Sequence, residues 1–276
     1  MKKLSKYFGG YDMTWKKVII FAIITAIVCA GLNCIPALDD TSFQDIAISF
    51  ECWILFAVFI IMNCDKWWEA SLKTFVFFLI SQPLIYLLEV PFKAAGWSLF
   101  QYYGHWFILT VLTLPGAAIA FLVKKKNWLS VAVLSVATGF LAYMAQDYFY
   151  AALARFPHHL LSSIFCLALA IFLVLVLFDE KKHKLAALAI IFVILIGTAI
   201  FFKPVTKQCI SLGEGEWNYT IDDESVISVE MSEDNTATLH AEGEGSTILS
   251  FENSDGTIEE YCVSVSGGGI FVSPVG

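Results

Sequence analysis

The chain has 276 residues, of which 58% are hydrophobic and 15% charged, with a mean hydropathy of +0.72. That balance excludes an ordinary water-soluble globular domain and a disordered chain, and it points to an integral membrane protein. The formal net charge of -8 says little by itself, because acidic and basic residues are segregated along the chain.

The opening MKKLSKYFGGYDMTWKK is basic and leads into the apolar stretch Val18 to Ile35. The stretch is long for a signal-peptide core and no A-x-A pattern follows it. Neither Cys29 nor Cys34 is preceded by a small residue, as lipoprotein processing would want, so a retained first span is expected. Within it Ala22, Ala26 and Ala30 form a small-x-x-x-small stripe suited to close helix packing. Further spans are expected at Ile46 to Met62, Phe75 to Val90, Trp106 to Val123, Trp128 to Tyr150, Leu160 to Phe178 and Leu185 to Phe202, making seven helices. The third is the most informative, because Ser81, Gln82 and Pro83 sit at its middle. Proline removes a backbone donor, so a bend is predicted there, with Gln82 a candidate site residue in a medium without water.

Thirteen of the seventeen positive charges fall on one side of this arrangement, among them Lys2, Lys3, Lys6, Lys66, Lys73, Lys124 and Lys181. The other side carries Lys93, Arg155, Lys203 and Lys207. The excess assigns a cytoplasmic amino terminus and, with an odd number of spans, an extracytoplasmic segment after Phe202, in a multi-pass protein of the cell membrane. Trp15, Trp67, Trp68 and Trp128 at one boundary and Trp97, Tyr102, Tyr103 and Trp106 at the other read as two interfacial belts.

After Lys203 and Pro204 the composition changes to short alternating runs such as SVISVEM, TATLHAE, STILSFE and YCVSVSG, separated by Asp, Asn, Ser and Gly. Such alternation predicts a small all-β sandwich. The expected organisation is therefore a seven-helix transmembrane domain over 1–203 and an extracytoplasmic β-sandwich over 204–276. Trp217, the run DESVISV, the stretch TLHAEGEGSTILSF and the closing YCVSV resemble the bacterial immunoglobulin-like domains of the type-2 group. The resemblance covers about the last quarter of the chain and implies a sandwich fold and an envelope or cell-surface setting, without implying any chemistry. From Val205 onward there are fourteen Asp and Glu against the single Lys207, so this domain is expected to attract cations or a basic protein partner.

Seven cysteines are present. Cys29, Cys34, Cys52, Cys64 and Cys166 lie in or beside spans and read as small buried apolar residues. Cys209 opens the β-domain and Cys262 lies near its end, so they are the candidate disulfide.

Placed by depth, Asn33, Asp45, Glu51, Gln82, Tyr86, Glu89, His105, Gln146, Asp147, Arg155, His158 and His159 all fall in the outer half of the membrane or at its surface. Ionisable groups in hydrocarbon usually face a bundle interior or a wet cavity, which predicts a polar pocket opening outward beneath the β-domain. Its candidate ligand-binding residues are Glu51, Gln82, Tyr86, Asp147 and His105, with Glu51 and Gln82 on adjacent helices and within reach of each other. Asp45, Glu89, His105 and Asp147 also lie near span ends, where placement at the interface needs no function. His158 and His159 are candidate metal ligands, although adjacent histidines rarely supply two ligands to one ion. Three functions fit. The favoured one is binding or transport of a small solute through the pocket. The second is an envelope protein that displays the β-domain to a partner. The third is a metal-dependent intramembrane hydrolase using His105, His158, His159, Asp147 and Glu51. No cofactor motif occurs, an enzyme is not favoured and nucleic-acid binding has no support; the expected partners are the lipid bilayer, a small-molecule ligand and a protein partner of the acidic β-domain.

Overall fold

A computed structural model of the chain describes residues 7–38, 41–48, 50–93, 96–154, 156–201, 207–213, 215–232, 234–266 and 269–274. Lys2, Lys3, Lys6, Arg155, Lys203 and Pro204, all used in the sequence reading, lie outside the described residues. Eight α-helices come first: α1 (Trp15–Asn33), α2 (Ser42–Ile48), α3 (Phe50–Met62), α4 (Trp67–Glu89), α5 (Tyr103–Ala120), α6 (Trp128–Ala154), α7 (Leu160–Leu177) and α8 (Lys181–Phe201). Seven segments are long and apolar enough to cross a membrane, with α2 and α3 together making the second, Ser42–Met62.

Several helices run past the expected spans. α4 begins at Trp67 rather than Phe75. Its first turns are polar, and Lys73 is held there by Glu69 and by the Met13 carbonyl. Pro83 lies inside α4, which continues beyond it to Glu89. Thr14 caps α1 by accepting from Lys17 N at 3.4 Å. Ala22, Ala26 and Ala30 are all buried in α1, whose main neighbour is α4. Small residues at intervals of four let two helix backbones approach closely.

The chain forms two compact units. The first holds Met1–Tyr143 and Ile164–Leu195, and the second holds Met144–Ser163 and Ile196–Gly276. The division falls within α6, α7 and α8, one end of each of which groups with the β region. The first unit has two apolar cores. One is built on Phe77, Trp53 and Ile60 with the buried face of α1, and the other on Leu134, Leu141, Leu173, Phe178 and Ile191.

In the second unit seven strands follow: β1 (Lys207–Ser211), β2 (Trp217–Ile221), β3 (Ile227–Met231), β4 (Thr236–Ala241), β5 (Gly245–Asn253), β6 (Ile258–Ser266) and β7 (Gly269–Pro274). They form two antiparallel sheets of order β1-β4-β3 and β2-β5-β6-β7. Alternate residues point inward, so Ile227 and Leu239 from the first sheet meet Leu249, Phe251, Val263 and Val265 from the second in one core. Asp223 Oδ1 accepts from both N and Oγ of Ser225 in the turn before β3, and these hydrogen bonds hold its carboxyl below the ordinary value of 3.8.

Cys209 and Cys262 are not bridged. Both are free thiols, one on β1 of the three-stranded sheet and the other on β6 of the four-stranded sheet. Their neighbours Ile210 and Val263 are buried, so each thiol points away from the shared core. The two cysteines therefore sit on the outer faces of different sheets, with the shared core between them.

Candidate functional site

Gln82, Tyr86 and Glu89 follow one another at intervals of four and three on α4, which keeps them on one face of the helix. Together with Asn33 of α1, Trp53 of α3 and Trp106 of α5 they line a small cavity of about 60 Å³ in the first unit. Asn33 Nδ2 donates to Glu89 Oε1 at 2.7 Å, and Gln44 Nε2 donates to Asn33 Oδ1 at 3.0 Å. The polar end of the cavity is thus fixed by α1, α2 and α4 at once. Gln82 is 4% exposed, and its Nε2 is buried with no hydrogen-bond partner among the described residues. A buried amide donor left unpaired costs about 1–3 kcal/mol, which an acceptor inside the cavity would relieve.

A larger cavity of about 270 Å³ is lined by Thr74 and Phe78 of α4, Ala57 of α3 and Gly116 of α5. Trp53 and Trp106 line both cavities. Its lining is apolar apart from threonines, of which Thr74 has its Oγ1 buried without a partner.

Glu51, another of the candidate ligand-binding residues, lines neither cavity. It is 1% exposed on α3. With about 100° of rotation per residue, Glu51 lies nearly opposite Trp53 on that helix. It shares a face with Leu55, Val58 and Met62, which pack into the core of α6, α7 and α8, whereas Trp53 and Ile60 pack toward α1 and α4. The fold therefore brings Tyr86 to Gln82 but turns Glu51 to another side. His105 is exposed in the first turn of α5, and it is the next residue, Trp106, that reaches the cavity.

Asp147, His158 and His159 belong to the second unit. His159 is 5% exposed, stacks on Tyr148 with ring planes 15° apart, and places Nε2 3.2 Å from Glu244 Oε2 in the turn between β4 and β5. Among the described residues no three His, Cys, Asp or Glu side chains come together as a metal site. The hydrolase reading asked for such a group.

Asn33, Glu89, Trp53 and Trp106 complete the polar cavity. Asn33 and Glu89 were visible as deep polar residues, and the spacing of Gln82, Tyr86 and Glu89 was the signal that unites them. Trp106 was read only as part of an interfacial belt, and nothing in the sequence singled out Trp53. Comparison with protein-family models, curated proteins and solved structures gives no match.

Proposed function

We propose that the chain is a polytopic membrane protein that binds or moves a small solute through the cavity formed by Asn33, Gln82, Tyr86 and Glu89. The observation that carries this is Gln82 Nε2, a hydrogen-bond donor buried without a partner at the wall of a cavity that also holds a carboxylate. A stably folded protein leaves few such groups unsatisfied, and one that lines a cavity marks where a ligand completes the bonding. The excess of lysine at the opposite end of α4 supports an outward-facing cavity, with the amino terminus cytoplasmic and the β region outside. Seven strands divided three and four between two sheets support an immunoglobulin-like reading of the β region.

The test is native mass spectrometry of protein purified in mild detergent, paired with thermal unfolding. Wild-type protein is expected to carry a small-molecule adduct from the membrane that Gln82→Leu loses, while Gln82→Leu melts at the same or a higher temperature because an unsatisfied donor is gone. Adduct occupancy unaffected by Gln82→Leu, or no adduct in either protein, overturns the reading.

A further inference from the structure

One face of α4 runs through both cavities. Thr74 and Phe78 line the apolar one, and Gln82, Tyr86 and Glu89, further along the same face, line the polar one. The spacing from Thr74 to Glu89 covers about 22 Å of helix. Trp53 from α3 and Trp106 from α5 border both spaces, so the two cavities adjoin and together offer a polar and an apolar end. Such a site recognises the two ends of an amphiphile separately.

The polar end specifies the head. Gln82 Nε2 asks for an acceptor. Glu89 Oε1 is occupied by Asn33, which leaves the other carboxylate oxygen to accept from a ligand donor. Neither cavity has a Lys, Arg or His among its described lining residues. A phosphate or carboxylate head would meet Glu89 with only Lys93, which lines neither cavity, to offset it, and an ammonium head would satisfy Glu89 but leave Gln82 unpaired. The apolar end, bordered by Phe78, Ala57 and Gly116, offers hydrocarbon contact along α3, α4 and α5.

Resting on the binding role proposed above, we infer that the ligand is an uncharged single-chain amphiphile: a head with a hydroxyl or carbonyl acceptor and a hydroxyl donor between Gln82 and Glu89, and a hydrocarbon tail along the Thr74, Ala57 and Gly116 side. A hydroxyl-bearing head donates to Glu89 while its second oxygen accepts from Gln82. The tail replaces bilayer lipid against the groove, so its affinity gain comes from packing shape and from tethering the head.

Gly116 supplies a variant that separates tail from head. A Cβ added there meets nothing within 4 Å and Gly116 lines the groove, so the side chain of Gly116→Leu starts into open space at the tail side. Wild-type protein in lipid nanodiscs is titrated with 1-oleoylglycerol, with 1-acetylglycerol as the tail-less probe, and with oleate and oleylamine as charged-head probes. The long-chain glycerol ester is expected to bind at least tenfold more tightly than the acetyl ester and than either charged probe. Gly116→Leu is expected to abolish that advantage and leave 1-acetylglycerol binding unchanged, and Gln82→Leu to weaken both esters. If the two esters bind equally well, or if Gly116→Leu leaves the oleoyl ester unaffected, the tail assignment is overturned while the polar-cavity reading stands. Tighter binding of oleate or oleylamine overturns the head assignment. If neither ester binds, or Gln82→Leu changes neither, the polar-cavity reading fails and the amphiphile inference fails with it.

Discussion

Asn33 and Glu89 are 56 positions apart in sequence, yet Asn33 Nδ2 donates to Glu89 Oε1 at 2.7 Å between α1 and α4. The bond fixes the carboxylate at the wall of the cavity and leaves the alanine stripe of α1 to set the helix separation. Asn33 in turn accepts from Gln44, so the amide works in both directions. Removing it strips a donor from a carboxylate that is 3% exposed.

Asn33→Leu is therefore expected to destabilise the protein by about 1–3 kcal/mol, the usual cost of orphaning a buried polar group. Glu89→Gln, which can turn its amide oxygen toward Asn33, is expected to cost less. Thermal unfolding of the full chain in one detergent compares the two. Melting of Asn33→Leu at the wild-type temperature would show that the bond contributes nothing.

The pair His159 and Glu244 joins the loop after α6 to the turn between β4 and β5 within the second unit, with side-chain exposures of 6% and 16%. Coupling between such partly buried partners is commonly about 0.5–3 kcal/mol. A double-mutant cycle with His159→Phe and Glu244→Gln, read by thermal unfolding, is expected to show a positive coupling in that range. Strictly additive single mutants would reduce the contact to mere proximity.

Gly243 sits where an added Cβ would lie 2.6 Å from the carbonyl oxygen of Ser225, a backbone atom that cannot swing aside. Gly243→Ala is expected to destabilise the β region by about 1–3 kcal/mol, as overpacking does. At Gly213 a Cβ meets nothing within 4 Å, and Gly213→Ala is expected to change stability by less than about 0.5 kcal/mol. Equal melting of the two variants would contradict the packing argument.

How much of this was legible follows from what a hydrophobic sequence encodes. Length and apolarity mark a span, so all seven long apolar helices were readable, and so was the switch to alternating strands. Polar residues inside an apolar span were readable too, which is why Gln82 and Tyr86 stood among the candidates. Azimuth was not. A helix apolar on every side has no amphipathic face to declare which way it turns, so Glu51 and Trp53, two residues apart and pointing to nearly opposite sides, could not be ranked. Glu89 looked interfacial because it ends its helix, and only the fold shows Asn33 waiting opposite it. The pairing of strands into sheets was equally hidden, since alternation gives the inward face of a strand and not its neighbour.

Cys209 tests orientation and thiol state together. It is an exposed free thiol on β1, the first strand after α8. Burial holds the other cysteines back to differing degrees, because Cys29, Cys64 and Cys166 are buried and Cys34, Cys52 and Cys262 are half-buried. Modification requires the thiolate and access to it, so an exposed thiol reacts first. A membrane-impermeant maleimide added to intact cells without reductant is expected to label the wild-type chain, and Cys209→Ser is expected to lose most of that label. Labelling that needs cell lysis would place the β region inside and reverse the orientation drawn from the lysines. Labelling that needs prior reduction would mean that Cys209 is bridged in the cell. The only other cysteine in the β region is Cys262, on the other sheet, so reduction-dependent labelling that persists in Cys262→Ser would point to a bridge with a second molecule.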